Sequence, residues 1–218
     1  MLASLINQFY PKHYAVRRAF ISIQELSSVD KQFSIKDEMT TVADHSGIRL
    51  SGYNEGTLNI LNPGKCRISI LQWEKYVNQF NGINAGEGKR CDILITNNKN
   101  HIVFCELTES DPLFIAPHTN SYGDQPGKRA TAVLQIANSI NKVLQVPELS
   151  EAVNEIRIKT GLFACRYPEP KVESVVNHSF EVFNKPLNLI KNVSYTTPNL
   201  AHDFVFEQRI YPDPYMLN

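Results

Sequence analysis

The chain has 218 residues, a length that favours one domain over residues 1–218, and its 22 basic residues balance 22 acidic ones. The formal net charge of zero excludes the strongly basic field of many nucleic-acid-binding proteins, so contact with nucleic acid requires a local basic patch. No apolar run approaches the roughly 20 residues that cross a bilayer, which predicts a cytoplasmic protein without membrane contact.

Residues 1 to about 40 predict a mixed, mainly helical segment, and residues 41–62 predict a peripheral hairpin. Apolar residues recur at helical intervals in two runs, Leu5 and Phe9 before Pro11, and Val16, Phe20 and Ile23 after it. Residues 41–62 carry two short alternating segments separated by Gly52 and Gly56, which is typical of a hairpin. Lys12, Arg17 and Arg18 form a small basic cluster, either a solvated helix face or a contact for phosphate.

Residues 66–80 predict one amphipathic helix that packs on a sheet. Its apolar stripe consists of Ile70, Trp73, Val77 and Phe80, which are three and four positions apart. Three glycines between residues 82 and 88 then separate this helix from the next element.

Residues 89–108 predict an antiparallel hairpin with one carboxylate on each strand. The polar turn 97–100 is rich in asparagine, which tolerates left-handed backbone and bonds to its own main chain. Because side chains alternate across a sheet, Asp92 shares a face with Leu94, and Glu106 shares a face with Phe104. Asp92 at the start of one strand and Glu106 near the end of its neighbour therefore lie side by side.

The cost of this pairing indicates what the site holds. Two ionised carboxylates inside apolar strands repel each other and lose hydration, and a cation, a metal ion or a raised pKa usually offsets that cost. Carboxylate and water oxygens are the ligands that Mg²⁺ prefers.

The four cysteines show no CxxC motif and no Cys/His ligand spacing, which favours free thiols over a zinc site. Cys91 and Cys105 are expected on the hairpin face opposite the carboxylates.

After the hairpin, residues 109–127 predict a long loop beside the carboxylates, in which His118 either reaches a substrate or is merely solvated. The best helix follows, from Lys128 to Val146. Its apolar stripe consists of Ala130, Val133, Leu134, Ala137, Ile140 and Leu144. Lys128 and Gln135 on its flank are seven positions apart, nearly two turns, so they project the same way.

Residues 156–166 alternate and then become apolar, as expected of a strand in a mixed sheet behind a crossover helix. Two later segments, residues 180–183 and 203–211, predict further strands that extend the sheet or cover an edge. The predicted fold class is therefore α/β (α+β).

Asp92, a hairpin-length gap, Glu106-Leu107-Thr108 and a following helix with Gln135 resemble the PD-(D/E)xK nuclease superfamily. Its motif places Asp on one core strand and Glu-x-Lys on the next. The resemblance covers a nuclease-like core of about residues 66–168. It implies a restriction-endonuclease-like fold, in which helices flank a mixed central sheet, with extra N- and C-terminal strands here.

The resemblance also implies a site. Asp92, Glu106 and the backbone carbonyl of Leu107 would bind Mg²⁺ or Mn²⁺, and Gln135 would help to position them. The chain departs from the motif at Thr108, where the family has lysine. Some members move that lysine to another element, which makes Lys128 the candidate replacement, and the preceding helix in many members offers an acidic residue, here Glu74.

Three interpretations follow. The first is a Mg²⁺-dependent nuclease, with Asp92, Glu106, Lys128 and Gln135 as its catalytic residues. The second is a catalytically inactive nuclease-fold module that binds nucleic acid or a protein partner, because threonine cannot replace an ammonium. The third is a structural or partner-binding protein, with a homodimer included, in which the carboxylates form an exposed edge pair. Lys128 and Glu74 would then simply face water.

Overall fold

The computed structural model describes residues 1–17, 19–38, 47–80, 90–97, 100–110, 114–121, 123–167, 192–198, 200 and 203–217. The helices of this part are α1 (Leu2–His13), α2 (Trp73–Val77), α3 (Gly127–Leu144) and α4 (Pro147–Asn154). Its strands are β1 (Glu25–Ser28), β2 (Gln32–Glu38), β3 (Gly47–Ser51), β4 (Leu58–Leu61), β5 (Ile68–Gln72), β6 (Ile93–Thr96), β7 (His101–Glu109), β8 (His118–Asn120), β9 (Gly123–Gln125), β10 (Ile158–Arg166), β11 (Val193–Tyr195), β12 (Val205–Ile210) and β13 (Tyr215–Met216).

The largest element is a seven-stranded mixed sheet in the order β1-β5-β6-β7-β10-β12-β11. Strands β1, β5, β6 and β7 pair antiparallel, β7, β10 and β12 pair parallel, and β11 returns antiparallel to β12. Parallel neighbours need a long crossover, and α3 and α4 provide it between β7 and β10. A smaller sheet has the order β13-β4-β2-β3.

Two apolar clusters cover the two faces of the large sheet. Phe104 of β7 packs in a cluster with residues of all four helices, among them Ile136. Its neighbour Val103 points the opposite way and shares a cluster with Ile35 of the smaller sheet. The protein is therefore a mixed α+β fold whose central sheet is flanked by helices, as the sequence predicts. Within the described ranges, no helix is long and apolar enough to cross a membrane.

The main elements predicted after residue 89 are present, with shifted ends. Strands β6 and β7 form the expected antiparallel hairpin, and α3 and β10 follow in the expected order. Strand β12 extends the sheet beyond β10. The predicted loop 109–127 contains the short hairpin β8–β9, and α4 was not predicted. The predicted strand at residues 180–183, together with Lys89, lies outside the described residues.

The prediction for the first 40 residues is wrong after α1. Helix α1 includes Pro11 and ends two residues later, and no helix follows in the described residues up to Glu38. Val16 instead forms an isolated bridge with Phe80, and Phe20 remains 42% exposed. Three apolar residues at helical spacing are too few to offset the cost of starting a helix.

The predicted hairpin within residues 41–62 is also wrong. Strands β3 and β4 do not pair with each other, because both pair with β2, which lies between them. Strand β2 places Phe33 and Ile35 two positions apart on its buried face, which is the period of a strand. Residues 39–46 lie outside the described part of this segment.

The predicted helix 66–80 is helical only over α2. Residues Ile68–Gln72 form the fully buried strand β5, paired with β1 and β6. A fully buried strand and a buried helix give similar apolar runs, so the spacing of Ile70 and Trp73 did not distinguish them.

Glycine at position 161 lets α3 pack closely on β10. A Cβ atom there would lie 2.7 Å from Cγ2 of Ile136 and 3.1 Å from Cδ1 of Leu200. We expect Gly161→Ala to lower the free energy of unfolding by about 1–3 kcal/mol through overpacking. In an Ile136→Ala background, which lacks that Cγ2 atom, the same change is expected to cost about 1 kcal/mol less. Urea denaturation of the four proteins measures this coupling, and additive effects would contradict the close packing.

Candidate active site

Asp92 and Glu106 lie at the same end of the β6–β7 hairpin. The paired ladder ends at Ile93 and Cys105, the chain neighbours of Asp92 and Glu106. Asp92 precedes the first residue of β6, and its Oδ2 atom accepts a hydrogen bond of 2.7 Å from the backbone N–H of Leu107. The Asp92 carboxylate therefore adds a side-chain hydrogen bond between the two segments just beyond the last main-chain pair of the hairpin.

The main chain of Asp92 also fixes the start of α2. Its carbonyl oxygen accepts hydrogen bonds from the backbone N–H groups of Trp73, at 2.9 Å, and Glu74, at 3.1 Å. Glu74 is exposed, but its charge is close enough to act on Asp92. The helix that follows β5 thus adds a third carboxylate to the neighbourhood of the pair.

The environment of Asp92 disfavours its ionised form. Burial raises the pKa of Asp92 to about 7, the hydrogen bond from Leu107 lowers it, and the charges of Glu74 and Asp37 raise it. Asp37 was not predicted at the site, because residues 1 to about 40 were predicted to be mainly helical. Its signal was the alternation of Phe33, Ile35 and Asp37, which places all three on one face of β2. Burial and the charge of Glu109 raise the pKa of Asp37 as well.

Gln135 of α3 holds Glu106 from the helix side. Its Nε2 atom donates hydrogen bonds to Glu106 Oε1, at 2.9 Å, and to the carbonyl oxygen of Arg90, at 3.1 Å. The predicted apolar stripe is displaced around the helix, because Ala130 and Leu134 are exposed whereas the polar Gln135 is 8% exposed. Hydrogen bonds to both strand ends satisfy the buried amide, and hydropathy alone does not reveal them.

Lys128 lies beside the position at which the family motif has lysine. Its Nζ atom donates a hydrogen bond of 3.2 Å to Oγ1 of Thr108, although it comes from α3 and Thr108 from β7. Thr108 follows Glu106 by two positions on the strand, so both side chains emerge on the same face. The structure thus brings Lys128, Thr108, Glu106 and Gln135 to one end of the sheet.

The cysteines are free thiols, and one of them departs from the prediction. Cys105 lies on the face opposite Glu106, as expected. Cys91 does not, because it packs in the helix-side cluster and its backbone N–H donates to Ser139 Oγ at 3.0 Å. Residue 91 precedes β6, so strand alternation does not govern its direction.

His118 lies in β8, with Nδ1 3.0 Å from the carbonyl oxygen of Ala116.

Asp92 and Glu106 bring carboxylate oxygens to the hairpin end, and these are the ligands that Mg²⁺ prefers. Among the described residues, no group of three or more His, Cys, Asp and Glu side chains is placed to hold a metal ion. Mg²⁺ is, however, commonly bound by one or two carboxylates together with water and substrate phosphate. In an extended strand the N–H and C=O of one residue point the same way, so the Leu107 carbonyl lies on the Asp92 side of β7.

Comparison with known proteins gives no match for this chain. No family model matches it, and no curated protein and no solved structure is significantly similar to it. The interpretation of the site therefore depends on its own geometry.

Proposed function

We propose that this protein is a divalent-metal-dependent nuclease with a restriction-endonuclease-like core, which hydrolyses phosphodiester bonds of nucleic acid. The observation that carries the proposal is the contact of 3.2 Å between Lys128 Nζ and Thr108 Oγ1. It supplies an ammonium from α3 beside the one motif position that the sequence leaves without lysine. Glu106 and Thr108 emerge on the same face of β7, and Asp92 lies just before β6 at the same end of the hairpin, which supports the same assignment.

In this proposal Asp92, Glu106 and the carbonyl of Leu107 hold Mg²⁺ or Mn²⁺. The bound ion would polarise the phosphodiester and lower the pKa of an attacking water. Gln135 fixes the orientation of the Glu106 carboxylate through the hydrogen bond of 2.9 Å. Lys128 is exposed at the rim of the site, where its charge stabilises the negative charge that develops on the phosphate oxygens.

A second function deserves a test because of two observations. The motif position itself is Thr108, and among the described residues no three His, Cys, Asp or Glu side chains are placed to hold a metal ion together. A module with this fold that binds nucleic acid or a protein without cutting would have the same geometry. The absence of cleavage together with retained binding distinguishes it from a nuclease.

The test is calorimetric titration of Mg²⁺ and Mn²⁺ into wild type, Asp92→Asn and Glu106→Gln, with cleavage assays on DNA and RNA from the same preparations. We expect both variants to weaken metal binding at least about tenfold and to reduce cleavage by about 10³-fold or more. The matched control is Glu148→Gln on α4, an exposed glutamate that belongs to a different element. Cleavage that survives in both variants would refute the assignment, and metal binding without cleavage would favour the inactive module.

A further inference from the structure

An open groove with a volume of about 390 Å³ runs along the flank of α3 opposite to Gln135. Small-molecule sites typically have volumes of about 300–1,000 Å³. Ile115, Val133 and Leu134 give the groove an apolar floor, and Tyr195 of β11, Thr197 and Arg129 line it as well. The size and lining fit one flat, partly apolar group with a polar or charged substituent.

Tyr195 lines the groove with an aromatic ring that packs against Phe206. Tyr195 is 41% exposed, and its ring lies against the ring of the fully buried Phe206, with the two centroids 5.2 Å apart. Leu134, which lines the same groove, is 58% exposed, although the other flank of its helix is deeply buried. An exposed aromatic ring in a partly apolar groove is a surface on which a nucleobase can stack.

Arg129 links this groove to the carboxylate site. It follows Lys128 directly in the first turn of α3, where successive side chains point about 100° apart. Lys128 reaches toward Thr108 on one side, whereas Arg129 lines the groove on the other. The backbone N–H of Arg129 donates 3.1 Å to the carbonyl of Ile115, which fixes this end of the groove. Lys128 and Arg129 thus place two positive charges on different sides of the first turn of α3. These charges complement the negative charge of a phosphate backbone.

We propose that the groove bounded by Tyr195, Leu134 and Arg129 binds a base of single-stranded nucleic acid. The strand crosses the start of α3 with its phosphates near Arg129 and Lys128. The bases of a duplex are stacked on one another and cannot enter, so the groove selects single strands. The placement of the neighbouring phosphate at Asp92 and Glu106 rests on the proposed nuclease function, whereas binding in the groove does not.

The test is fluorescence anisotropy with a labelled oligothymidylate and a duplex of equal length, in EDTA so that no metal-dependent cleavage occurs. We expect wild type to prefer the single strand and Tyr195→Ala to weaken its binding about 5- to 100-fold. Tyr195→Phe keeps the ring and is expected to keep most of the affinity. Arg129→Ala is expected to reduce the slope of log K against log salt by about 1.

Two further variants separate the groove from general effects. Leu134→Glu places an anion on an exposed position, so it is expected to weaken binding without unfolding the protein. Phe20→Ala removes an aromatic ring that is 42% exposed but does not line the groove, and it is expected to change nothing. Equal affinity of Tyr195→Ala and wild type, a preference for duplex, or no binding by wild type would each overturn the inference.

The nuclease assignment can fail independently. Single-strand binding that depends on Tyr195, without cleavage in Mg²⁺ or Mn²⁺, would support the groove and overturn the nuclease. Cleavage that depends on Asp92, with binding unaffected by Tyr195→Ala and Leu134→Glu, would do the reverse.

Discussion

Replacing Lys128 with methionine is expected to reduce metal-dependent cleavage by about 10²–10³-fold, the usual loss when one charge-stabilising group is removed from a site. Metal binding should persist, because Asp92 and Glu106, the proposed metal donors, remain. The free energy of unfolding should change by less than about 0.5 kcal/mol, because Lys128 is exposed. Single-turnover cleavage at saturating Mg²⁺ and urea denaturation measure the two effects.

A matched control and a rescue make the experiment specific. Lys142→Met changes a lysine on the same helix, 14 positions and about 21 Å farther along its axis, and should leave cleavage intact. Thr108→Lys combined with Lys128→Met returns an ammonium to the neighbouring position on β7 and should recover part of the lost rate. Full activity of Lys128→Met would remove this residue from the mechanism, whatever the result for the carboxylates.

The β6–β7 hairpin was predictable because its determinants are local. The alternation along each strand acts over fewer than 20 residues, and the resulting ladder ends beside Asp92 and Glu106. Lys128 and Gln135 could be assigned to one flank of a helix by their spacing alone. The contact between Lys128 and Thr108 depends on how α3 packs over the sheet. The spacing of residues along the sequence does not predict that packing.

What the sequence did not predict depends on distant contacts. Strand β2 pairs with β3 and β4 through residues up to about 30 positions away, and without those partners its short alternation is ambiguous. The apolar stripe of α3 was predicted to include Ala130 and Leu134, which are exposed. The polar Gln135 is buried instead, because Glu106 and the Arg90 carbonyl accept its hydrogen bonds. Both errors fall around the candidate site, where polar groups are buried with specific partners.

The pKa of Asp92 predicts a stability that falls as the pH rises. Its folded-state pKa of about 7 lies above the ordinary value of about 3.9, so the folded protein holds this proton more tightly than the unfolded chain. The contribution to stability is therefore full below about pH 4 and is lost as the pH rises through 7. The loss is expected to reach about 2–4 kcal/mol at pH 8.5, at about 1.4 kcal/mol for each pKa unit.

Asp92→Asn should remove most of this pH dependence. The amide is neutral like the protonated acid, and its oxygen can still accept the hydrogen bond from the Leu107 N–H. Urea denaturation in EDTA should show the variant more stable than wild type by about 2–4 kcal/mol at pH 8.5, with little difference near pH 4. Asp37→Asn is the comparison for a second carboxyl whose pKa is raised by burial.

Saturating Mg²⁺ should reverse the order at pH 8.5. A cation bound to the folded state stabilises the ionised Asp92 of wild type by mass action, whereas the asparagine variant lacks that carboxylate. The midpoint of wild-type unfolding should therefore rise with Mg²⁺ more steeply than that of Asp92→Asn. A variant that is less stable than wild type at every pH, with or without Mg²⁺, would show that Asp92 acts as a structural hydrogen-bond acceptor. It would also remove the energetic argument for a metal at the hairpin end.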